Sequence, residues 1–366
     1  MNDHNRITNL QVFALVFTFV FSTQIAFLLN PLAAQVSTDG VWCILAGGVA
    51  GTVLTIAAIR YPIKHTSTSL GVQGSSFFGR AIHSVILLIV AFFFLHLTAI
   101  ILREFTDFFV VTYLRETPPI AVTALVMLVA VTLTQAGVTA VFRFAQGMFL
   151  FIGVFFLAKP LFTDTDLSTP LRYEFLRLHD WQAVWKYTYF ILPWYGELIL
   201  LAFIAPQFAS PRRVHRAVWI GSLAGTYLLL AEYVFVLLTF GPKLTATLIY
   251  PSLELAGFVH IGDFINNMDP IIVSIWFTAF FIKIAVLFAV GTYVSSQALR
   301  LREYKPIIPP LAALVTLMSI YQSRNPSDLT EFIGSSWSTY ALFIELLPFL
   351  YPLAAWMKSK HGGPSS

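Results

Sequence analysis

Apolar segments of about 20 residues recur along the whole chain, and this recurrence limits the possible folds more than any other feature. A helix of that length crosses a hydrocarbon layer about 30 Å thick. Of the 366 residues, 57% are hydrophobic and 11% are charged, against about 25% charged in a soluble domain. Because lipid offers no partners to backbone N–H and C=O groups, each segment must be helical. The sequence predicts an all-α integral membrane protein.

Ten membrane spans are predicted, within a single polytopic membrane domain that takes in residues 1–366. The ninth span is short and flanked by prolines. The spans cover residues 10–34, 41–59, 81–102, 120–136, 144–162, 187–207, 214–240, 269–296, 307–321 and 337–356. Lysine and arginine are more frequent in the connections on the side of both termini. This bias places both termini in the cytoplasm, and we call the opposite side outer. The net charge of +4 reflects this bias and does not indicate nucleic-acid binding.

The spans divide into two halves of five, residues 10–162 and 187–356. The outer connection, 163–186, predicts a short amphipathic helix at the membrane interface, anchored by Trp181 and Trp185. A second outer segment, 241–268, is expected to pack against the outer mouth, and residues 357–366 are expected to form a disordered tail. Two pairs of glycines at small-xxx-small spacing, in spans two and seven, predict close helix packing: Gly47 and Gly51, and Gly221 and Gly225.

Span six, which includes YFILPWYGELILLAF at residues 189–203, carries Pro193, Gly196 and Glu197 in its middle. Proline removes a backbone donor and clashes with the preceding turn, and glycine releases the backbone geometry. Span one carries FSTQ at residues 21–24 and closes with Asn30–Pro31. Paired interruptions at matching positions of two halves point to a transporter-type binding site at the membrane midplane. The alternative is a proline kink used for packing alone.

Freed backbone groups would suit a small zwitterion, because half-helix N-termini attract a carboxylate and freed carbonyls attract an ammonium group or a cation. The expected ligand is an α-amino acid or a similar nutrient. In the predicted site, span one supplies backbone groups, span six supplies shape and Glu197, and span eight closes the pocket. The predicted ligand-binding residues are Ser22, Thr23, Gln24, His96, Thr98, Tyr195, Gly196, Glu197, Trp276 and Thr278. For His96, a packing role is the alternative.

Glu197, Glu232, Lys283 and Glu345 lie within predicted spans. Each would cost about 2.5–3.5 kcal/mol at a helix centre, so unpaired exposure to lipid is not expected. Glu197 and Lys283 are candidates for proton or charge coupling. The alternative is a structural ion pair of Lys283 with Glu232 or Glu197. Glu232 and Glu345 are expected to be structural.

The sequence contains no HExxH, GxSxG, Walker A or Rossmann glycine pattern. Its one cysteine, Cys43, forms neither a disulfide within the chain nor a thiolate metal cluster. No catalytic residue, metal or cofactor is therefore predicted, and an enzyme is not expected.

Several segments carry a family resemblance over nearly the whole chain. They are ITNLQVFALVFTFVFSTQIAFLLNPLAA near the start, RYP after span two, ILREFTDFF followed by LRETPP, AGVTAVFR, YPSLEL and NNMDP. The chain resembles the spore-germination permeases, the B subunits of bacterial nutrient-germinant receptors, within the amino acid–polyamine–organocation superfamily. The family usually has glycine where Ser22 stands here, so the preferred nutrient is expected to differ from the commonest cases.

The resemblance implies a LeuT-like fold of ten helices, a five-plus-five inverted repeat in which helices one and six are broken. It implies a germinant-sensing subunit in the spore inner membrane that works with an A subunit and a lipoprotein C subunit. The bound nutrient, often an amino acid, would trigger germination. Two alternatives remain open, a proton-coupled amino acid permease and a membrane scaffold that binds no ligand.

Overall fold

The computed structural model describes residues 6–65, 69–159, 175, 179–257, 269–322 and 326–361. The described residues are helical almost throughout. The helices are α1 Asn9–Phe27, α2 Leu29–Val36, α3 Gly40–Lys64, α4 Leu70–Gln73, α5 Ser75–Phe78, α6 Arg80–Thr112, α7 Pro119–Ala136, α8 Val138–Ala158, α9 Trp181–Gly196, α10 Leu200–Phe203, α11 Pro211–Thr245, α12 Pro251–Ala256, α13 Asp269–Ala298, α14 Ile308–Tyr321, α15 Pro326–Ser335, α16 Trp337–Glu345 and α17 Leu350–His361.

The predicted spans all correspond to helical segments. Among the described residues, eight helical stretches are long and apolar enough to cross a membrane. The ninth predicted span is the shorter α14, and the sixth is divided into α9, a 3₁₀ turn at Glu197–Ile199 and α10. The protein is therefore an all-α membrane protein, as predicted.

Corresponding spans of the two halves make corresponding contacts, where each span corresponds to the span five places away in the chain. Span one (α1) packs on span seven (α11), and span six (α9) packs on span two (α3). Spans four and eight (α7 and α13) are in contact, and so are spans nine and three (α14 and α6). Spans one and five (α1 and α8) pack together, as do spans six and ten (α9 and α16). This is the pairing that two related five-helix halves require.

The two glycine pairs explain how spans one and six come so close to their partners. A Cβ at Gly51 of α3 would lie 2.5 Å from Tyr195 of α9, and one at Gly47 would lie 2.6 Å from Ile191. On α11, a Cβ at Gly221 would lie 2.9 Å from the carbonyl oxygen of Phe13, and Gly225 faces Val20 of α1. Larger side chains would separate the helices, so the prediction of close packing is confirmed at matching positions of both halves.

Glycine also ends or bends helices where the chain reverses. Gly137 has φ +104° between α7 and α8, a conformation that side chains with a Cβ rarely adopt. Gly241 has φ +73° and, with Pro242 directly after it, kinks α11 near its outer end.

Several predicted boundaries are wrong. α6 continues to Thr112, so the charges at residues 103–107 belong to a membrane helix instead of an outer loop. α8 begins at Val138 rather than 144. The predicted tail is helical to His361, and the remaining residues, 362–366, lie outside the described part. Of the connection 163–186, residues 163–174 and 176–178 also lie outside it, and Trp181 and Trp185 belong to the first turns of α9, where both are exposed.

Candidate functional site

The break in span six depends on three neighbouring residues. Pro193 lies in the last turn of α9, and the N–H of Glu197 donates to the carbonyl of Pro193 as the helix tightens into a 3₁₀ turn. Gly196 has no Cβ, and one placed there would lie 1.8 Å from Oε2 of Glu345. The carboxylate of Glu345 therefore approaches the backbone at a point that only glycine leaves open.

Span one breaks at a different point from the one predicted. α1 is continuous through residues 21–24 and ends at Phe27, and α2 begins at Leu29. The hydroxyl of Ser22 donates to the carbonyl of Phe19 (2.9 Å), so this polar residue is satisfied inside the helix. The predicted interruption at FSTQ is therefore wrong.

Asn30 and Pro31 lie in the first turn of α2, just beyond the break at Leu28. Proline is tolerated in a first helical turn because its missing N–H would have no partner there. The side-chain amide of Asn30 donates to the carbonyl of Leu248. The outer part of span one is thereby tied to the segment that follows α11.

A buried ion pair lies at the break of span six and also contacts span one. Nζ of Lys283, on α13, lies 2.6 Å from Oε2 of Glu197 and donates to the hydroxyl of Thr23 on α1 (2.8 Å). The ammonium group also lies 4.4 Å from the centre of the Phe19 ring, within the range of a cation–π interaction. Of the two partners predicted for Lys283, the structure selects Glu197.

A small enclosed cavity adjoins this ion pair. Its polar lining consists of Thr23, Glu104, Glu197 and Lys283, and its apolar lining consists of Leu97, Ile100, Ile101, Trp194, Ile333 and Trp337. Spans one, three, six and eight and the α15–α16 region all contribute. The cavity has room for about one water molecule, so a ligand as large as an amino acid requires the surrounding helices to move apart.

Glu104 is the lining residue that the sequence analysis missed. It is buried on α6, but it had been placed in an outer loop. Helical spacing was the signal that could have found it, since Leu97, Ile101 and Glu104 are separated by four and three residues and share one face. Among the described residues its carboxylate has no hydrogen bond or ion pair, and Glu104 lines the cavity.

Several predicted ligand-binding residues are directed elsewhere. Thr98 donates to the carbonyl of Phe94 within α6. Tyr195 is buried, but its hydroxyl contacts Thr226 of α11 (2.7 Å), and its carbonyl accepts a hydrogen bond from Thr55 of α3. Neither side chain lines the cavity, and both stabilise helix packing.

His96 and Thr278 lie away from the ion pair. The imidazole of His96 stacks on Phe92 and contacts the ring of Tyr340, which favours the packing alternative. Thr278 lies beside Met148 and Phe151 in an open groove between α8 and α13. A binding role for these two residues is not supported by their positions.

The remaining predicted residues lie close to the cavity lining without forming it. Ser22 accepts a hydrogen bond at its carbonyl from the indole N–H of Trp276 (3.2 Å). Gln24 is buried, and neither its amide nitrogen nor its amide oxygen has a hydrogen-bond partner in the part of the chain that the structure describes. Of the predicted ligand-binding set, Thr23 and Glu197 line the cavity itself.

An aromatic layer covers the cavity on its outer side. The Trp276 ring lies 5.7 Å from that of Phe108 and 5.6 Å from that of Phe280. Tyr250, which precedes α12, packs on Phe108 (5.0 Å) and on Phe27 (6.2 Å). Phe27, Phe108 and Phe280 lie about one helical turn from the cavity residues of α1, α6 and α13, and Trp276 lies about two turns from Lys283. In the described part of the 241–268 segment, Tyr250 contacts this layer, and the predicted packing of the segment against an outer mouth stays a prediction.

A second buried ion pair, which was not predicted, lies between α8 and α11 and involves Lys159, close to the end of the fifth predicted span. Nζ of Lys159 donates to Oε1 of Glu232. The hydroxyl of Ser252 on α12 donates to the same oxygen. Glu232 is therefore paired with Lys159, and the predicted structural role of Glu232 agrees with this contact.

Two interrupted spans and the charged cavity beside them place this protein among the polytopic helical membrane proteins. Similar solved structures include a nucleobase-cation-symport-1 family transporter, Mhp1, in a closed conformation with bromovinylhydantoin bound (TM-score 0.55, 15% identity, covering 90% of this chain and 75% of that one). Another is a Na⁺-coupled sialic acid symporter in a substrate-bound outward-open state (TM-score 0.61, 14% identity, 94% and 77%). These similarities establish the LeuT-like fold.

The family is given by the sequence comparisons. The family model for spore germination proteins matches residues 6–327, and the chain belongs to this family. A putative spore germination protein of Bacillus subtilis (strain 168), YfkT, is 27% identical over 284 residues, 76% of each chain. Spore germination protein XB of Bacillus anthracis is 27% identical over 214 residues, and the match spans 57% of this chain and 58% of that protein.

Proposed function

We propose that this protein is the nutrient-sensing subunit of a spore germination receptor, and that it binds a small nutrient, an amino acid, at the midplane cavity. The observation that carries the proposal is a buried cavity between span one and the break of span six that offers both an ammonium group and carboxylates. It occurs in a member of the spore germination family with a transporter fold. Occupancy of the cavity would trigger germination.

The charges of the cavity match the two ends of an amino acid. Lys283 would receive the carboxylate of the ligand, assisted by the hydroxyl of Thr23, which already contacts Nζ. Glu104 would receive the ammonium group, because its carboxylate lines the cavity without a protein partner. Charge-assisted hydrogen bonds are stronger than neutral ones. Trp194 and Trp337 would contact the ligand side chain and favour small apolar groups.

Ligand binding would also weaken the contact that holds the helix break of span six in place. Lys283 holds Glu197 in the closed structure, so a ligand carboxylate that draws on Lys283 weakens the contact that ties span eight to span six. The cavity must expand to admit an amino acid, and this expansion would move the broken half of span six. Such a movement gives a receptor a signal that other subunits can detect.

A proton-coupled amino acid permease is the second candidate. The buried ion pair between Lys283 and Glu197 favours it, because paired ionisable groups inside membranes commonly mark proton and substrate pathways. A receptor and a permease differ in whether the bound ligand is carried across the membrane. A receptor binds without accumulation of the ligand, whereas a permease accumulates it.

The assembly and the location follow from the receptor proposal. The chain would work with an A subunit and a lipoprotein C subunit in the inner membrane of the spore, with both termini on the core side. The positive residues near the termini support this orientation.

Reconstitution in liposomes tests the proposal. Saturable binding and time-dependent uptake of a panel of labelled amino acids would be measured for the wild type and for Lys283→Met. We expect saturable binding that the variant loses, with no accumulation. Accumulation driven by a proton gradient would replace the receptor with the permease. Absence of binding to a subunit that still assembles would favour a scaffold.

A further inference from the structure

Glu345, the last residue of α16, is a fully buried carboxylate that the proposed ligand contacts do not use. Its exposed fraction is 0%. Both of its carboxylate oxygens are buried without a hydrogen-bond partner among the described residues. One of them lies directly against Gly196, at the break of span six. The sequence analysis treated this residue as structural, but a structural carboxylate would be expected to have a donor.

The charges around Glu345 do not neutralise it. The ammonium group of Lys283 is engaged by Glu197 at 2.6 Å and by Thr23 at 2.8 Å. No ion pair between Lys283 and Glu345 is formed. Of the charged groups near Glu345, Glu197 in the 3₁₀ turn adds a like charge and Lys283, behind Glu197, adds an opposite one. The elements packed against α16 also carry titratable groups, among them Glu104 and His96 on α6, Tyr189 and Tyr195 on α9 and Glu331 on α15, and Tyr340 lies on α16 itself.

These groups leave an excess of carboxylates. Glu104, Glu197 and Glu345 share this region with one lysine. An ionised carboxylate buried without donors is strongly unfavourable, and Glu197 adds a like charge. A proton on Glu345 removes both penalties, because the neutral acid requires far less solvation.

We propose that Glu345 is a proton-binding site built into the break of span six. Its carboxylate takes a proton from a hydronium ion, which leaves as water, and becomes a neutral carboxylic acid that packs against Gly196. Opening of the break admits water, and the acid then returns its proton to that water. The closed form of span six therefore holds one proton more at this position than the open form.

This inference goes beyond the proposed function, since it holds whether or not the cavity binds a nutrient. It links the closed state of the protein to proton concentration through one side chain. In a receptor it would make opening of the break release a proton. In a permease it would supply a coupling group in addition to the Lys283–Glu197 pair.

Infrared spectroscopy of the purified protein in lipid nanodiscs tests the proposal, with protons as the sole added ligand. We expect the carbonyl band of a protonated carboxylic acid at neutral pH, its loss in Glu345→Gln, and its retention in the matched control Glu331→Gln, which removes an exposed glutamate. Persistence of the band in Glu345→Gln would overturn the proposal. Its loss in Glu104→Gln alone would assign the proton to Glu104 and also overturn it.

Thermal unfolding across pH provides a second measurement that does not depend on the spectral assignment. Glutamine resembles the neutral acid, so Glu345→Gln should unfold at or above the wild-type temperature at neutral pH. Ionisation of Glu345 costs free energy in the folded state and not in the unfolded state. Alkaline pH should therefore lower the unfolding temperature of the wild type more than that of the variant. Equal pH profiles would contradict the proposal. Stabilisation of the wild type by Na⁺ or K⁺, but not by choline, with loss of the effect in the variant, would indicate a metal cation instead.

Discussion

The two buried lysine–glutamate pairs among the described residues have the same chemistry and different surroundings. Lys159 and Glu232 share their contact with the hydroxyl of Ser252. Lys283 and Glu197 lie beside a cavity, at the break of span six, with the carboxylates of Glu104 and Glu345 nearby, and that of Glu345 has no hydrogen-bond partner among the described residues. At Lys159 and Glu232, a neighbouring hydroxyl adds a hydrogen bond to the pair. At Lys283 and Glu197, a nearby carboxylate has no hydrogen-bond partner among the described residues, so it remains available to a ligand or a proton.

The difference also distinguishes two roles of a buried charge, one in helix packing and one in function. A buried pair is weak evidence for stability, because well-packed apolar residues of similar volume often replace it without loss. The pair near Ser252 joins α8, α11 and α12 at the outer side and fits a packing role. The pair at the cavity joins both broken spans to span eight, and its replacement should affect function even where folding survives.

The largest effect is expected at the cavity pair. Glu197→Gln keeps the size of the side chain and removes its charge, so Lys283 loses its ion pair and the break loses its link to span eight. We expect the nutrient response of spores to fall by up to about 100-fold, as the loss of one charge-assisted contact of about 1.5–3 kcal/mol would give. Germination would be measured by loss of refractility after addition of nutrient.

Membrane insertion is the control for this variant. The amount of Glu197→Gln in the spore inner membrane should equal that of the wild type. A variant that inserts normally and germinates normally would show that Glu197 is structural at most.

The second pair should respond differently to single and double replacement. Lys159→Met leaves Glu232 buried without its cation, and breaking a buried pair in this way costs about 3–5 kcal/mol. The double variant Lys159→Met with Glu232→Leu removes both charges and should recover most of that stability. Thermal unfolding of the purified proteins measures both values.

The same double replacement at the cavity sharpens the comparison. Lys283→Met with Glu197→Leu should also recover stability, but the nutrient response should remain lost. If the Lys159–Glu232 double variant also lost its response while folding normally, the outer cluster would have a functional role. The contrast between the two pairs would then disappear.

Replacement of Glu104 tests whether the cavity beside the Lys283–Glu197 pair binds a ligand. Glu104→Gln removes the proposed acceptor for the ammonium group and leaves the ion pair intact. One lost charge-assisted hydrogen bond of about 1.5–3 kcal/mol corresponds to roughly tenfold to hundredfold weaker binding. Radioligand binding to the reconstituted protein would measure it.

Asp107→Asn is the matched control, because it lies one turn further along α6. The carboxylate of Asp107 pairs with Arg103 (2.8 Å) and does not line the cavity. Its removal should leave binding within about twofold of the wild type, as expected for a partly exposed i,i+4 pair. Equal losses in both variants would argue against direct contact between Glu104 and the ligand.

The fold was predictable because the signals for membrane helices are local. Each span is a long apolar segment, and Pro193 with Gly196 marks the break in span six by the chemistry of the backbone alone. The interruption predicted in span one was wrong for an equally local reason. Ser22 satisfies its hydroxyl on the carbonyl of Phe19, so a polar residue within a span did not require a break.

The site was less predictable, because orientation in a membrane leaves a weak signal. Lipid and the protein interior are both apolar, so a span such as α13 has no polar face to separate them. Lys283 and Thr278 lie on the same helix, yet one reaches the cavity and the other a groove at the surface. Glu104 and Lys159 were missed because a charge near the end of a span looks the same whether it is buried or exposed.

The smallest effect is expected in the aromatic layer that covers the cavity pair and has no counterpart at the second pair. Trp276→Phe keeps an aromatic ring and removes the N–H that donates to the carbonyl of Ser22. The loss of one neutral hydrogen bond is worth about 1 kcal/mol, which is roughly a factor of five in an equilibrium constant. The equilibrium constant that favours the closed cavity over the open one should fall by that factor.

Because binding requires the cavity to open, a weaker closed form makes the binding-competent state more populated and raises the apparent affinity. We therefore expect Trp276→Phe to bind amino acids up to about fivefold more tightly, in contrast to the losses at Glu104 and Glu197. Trp337→Phe is the comparison, since Trp337 lines the cavity itself and its truncation should weaken binding. Weaker binding by Trp276→Phe would place Trp276 in the ligand site instead of in its cover.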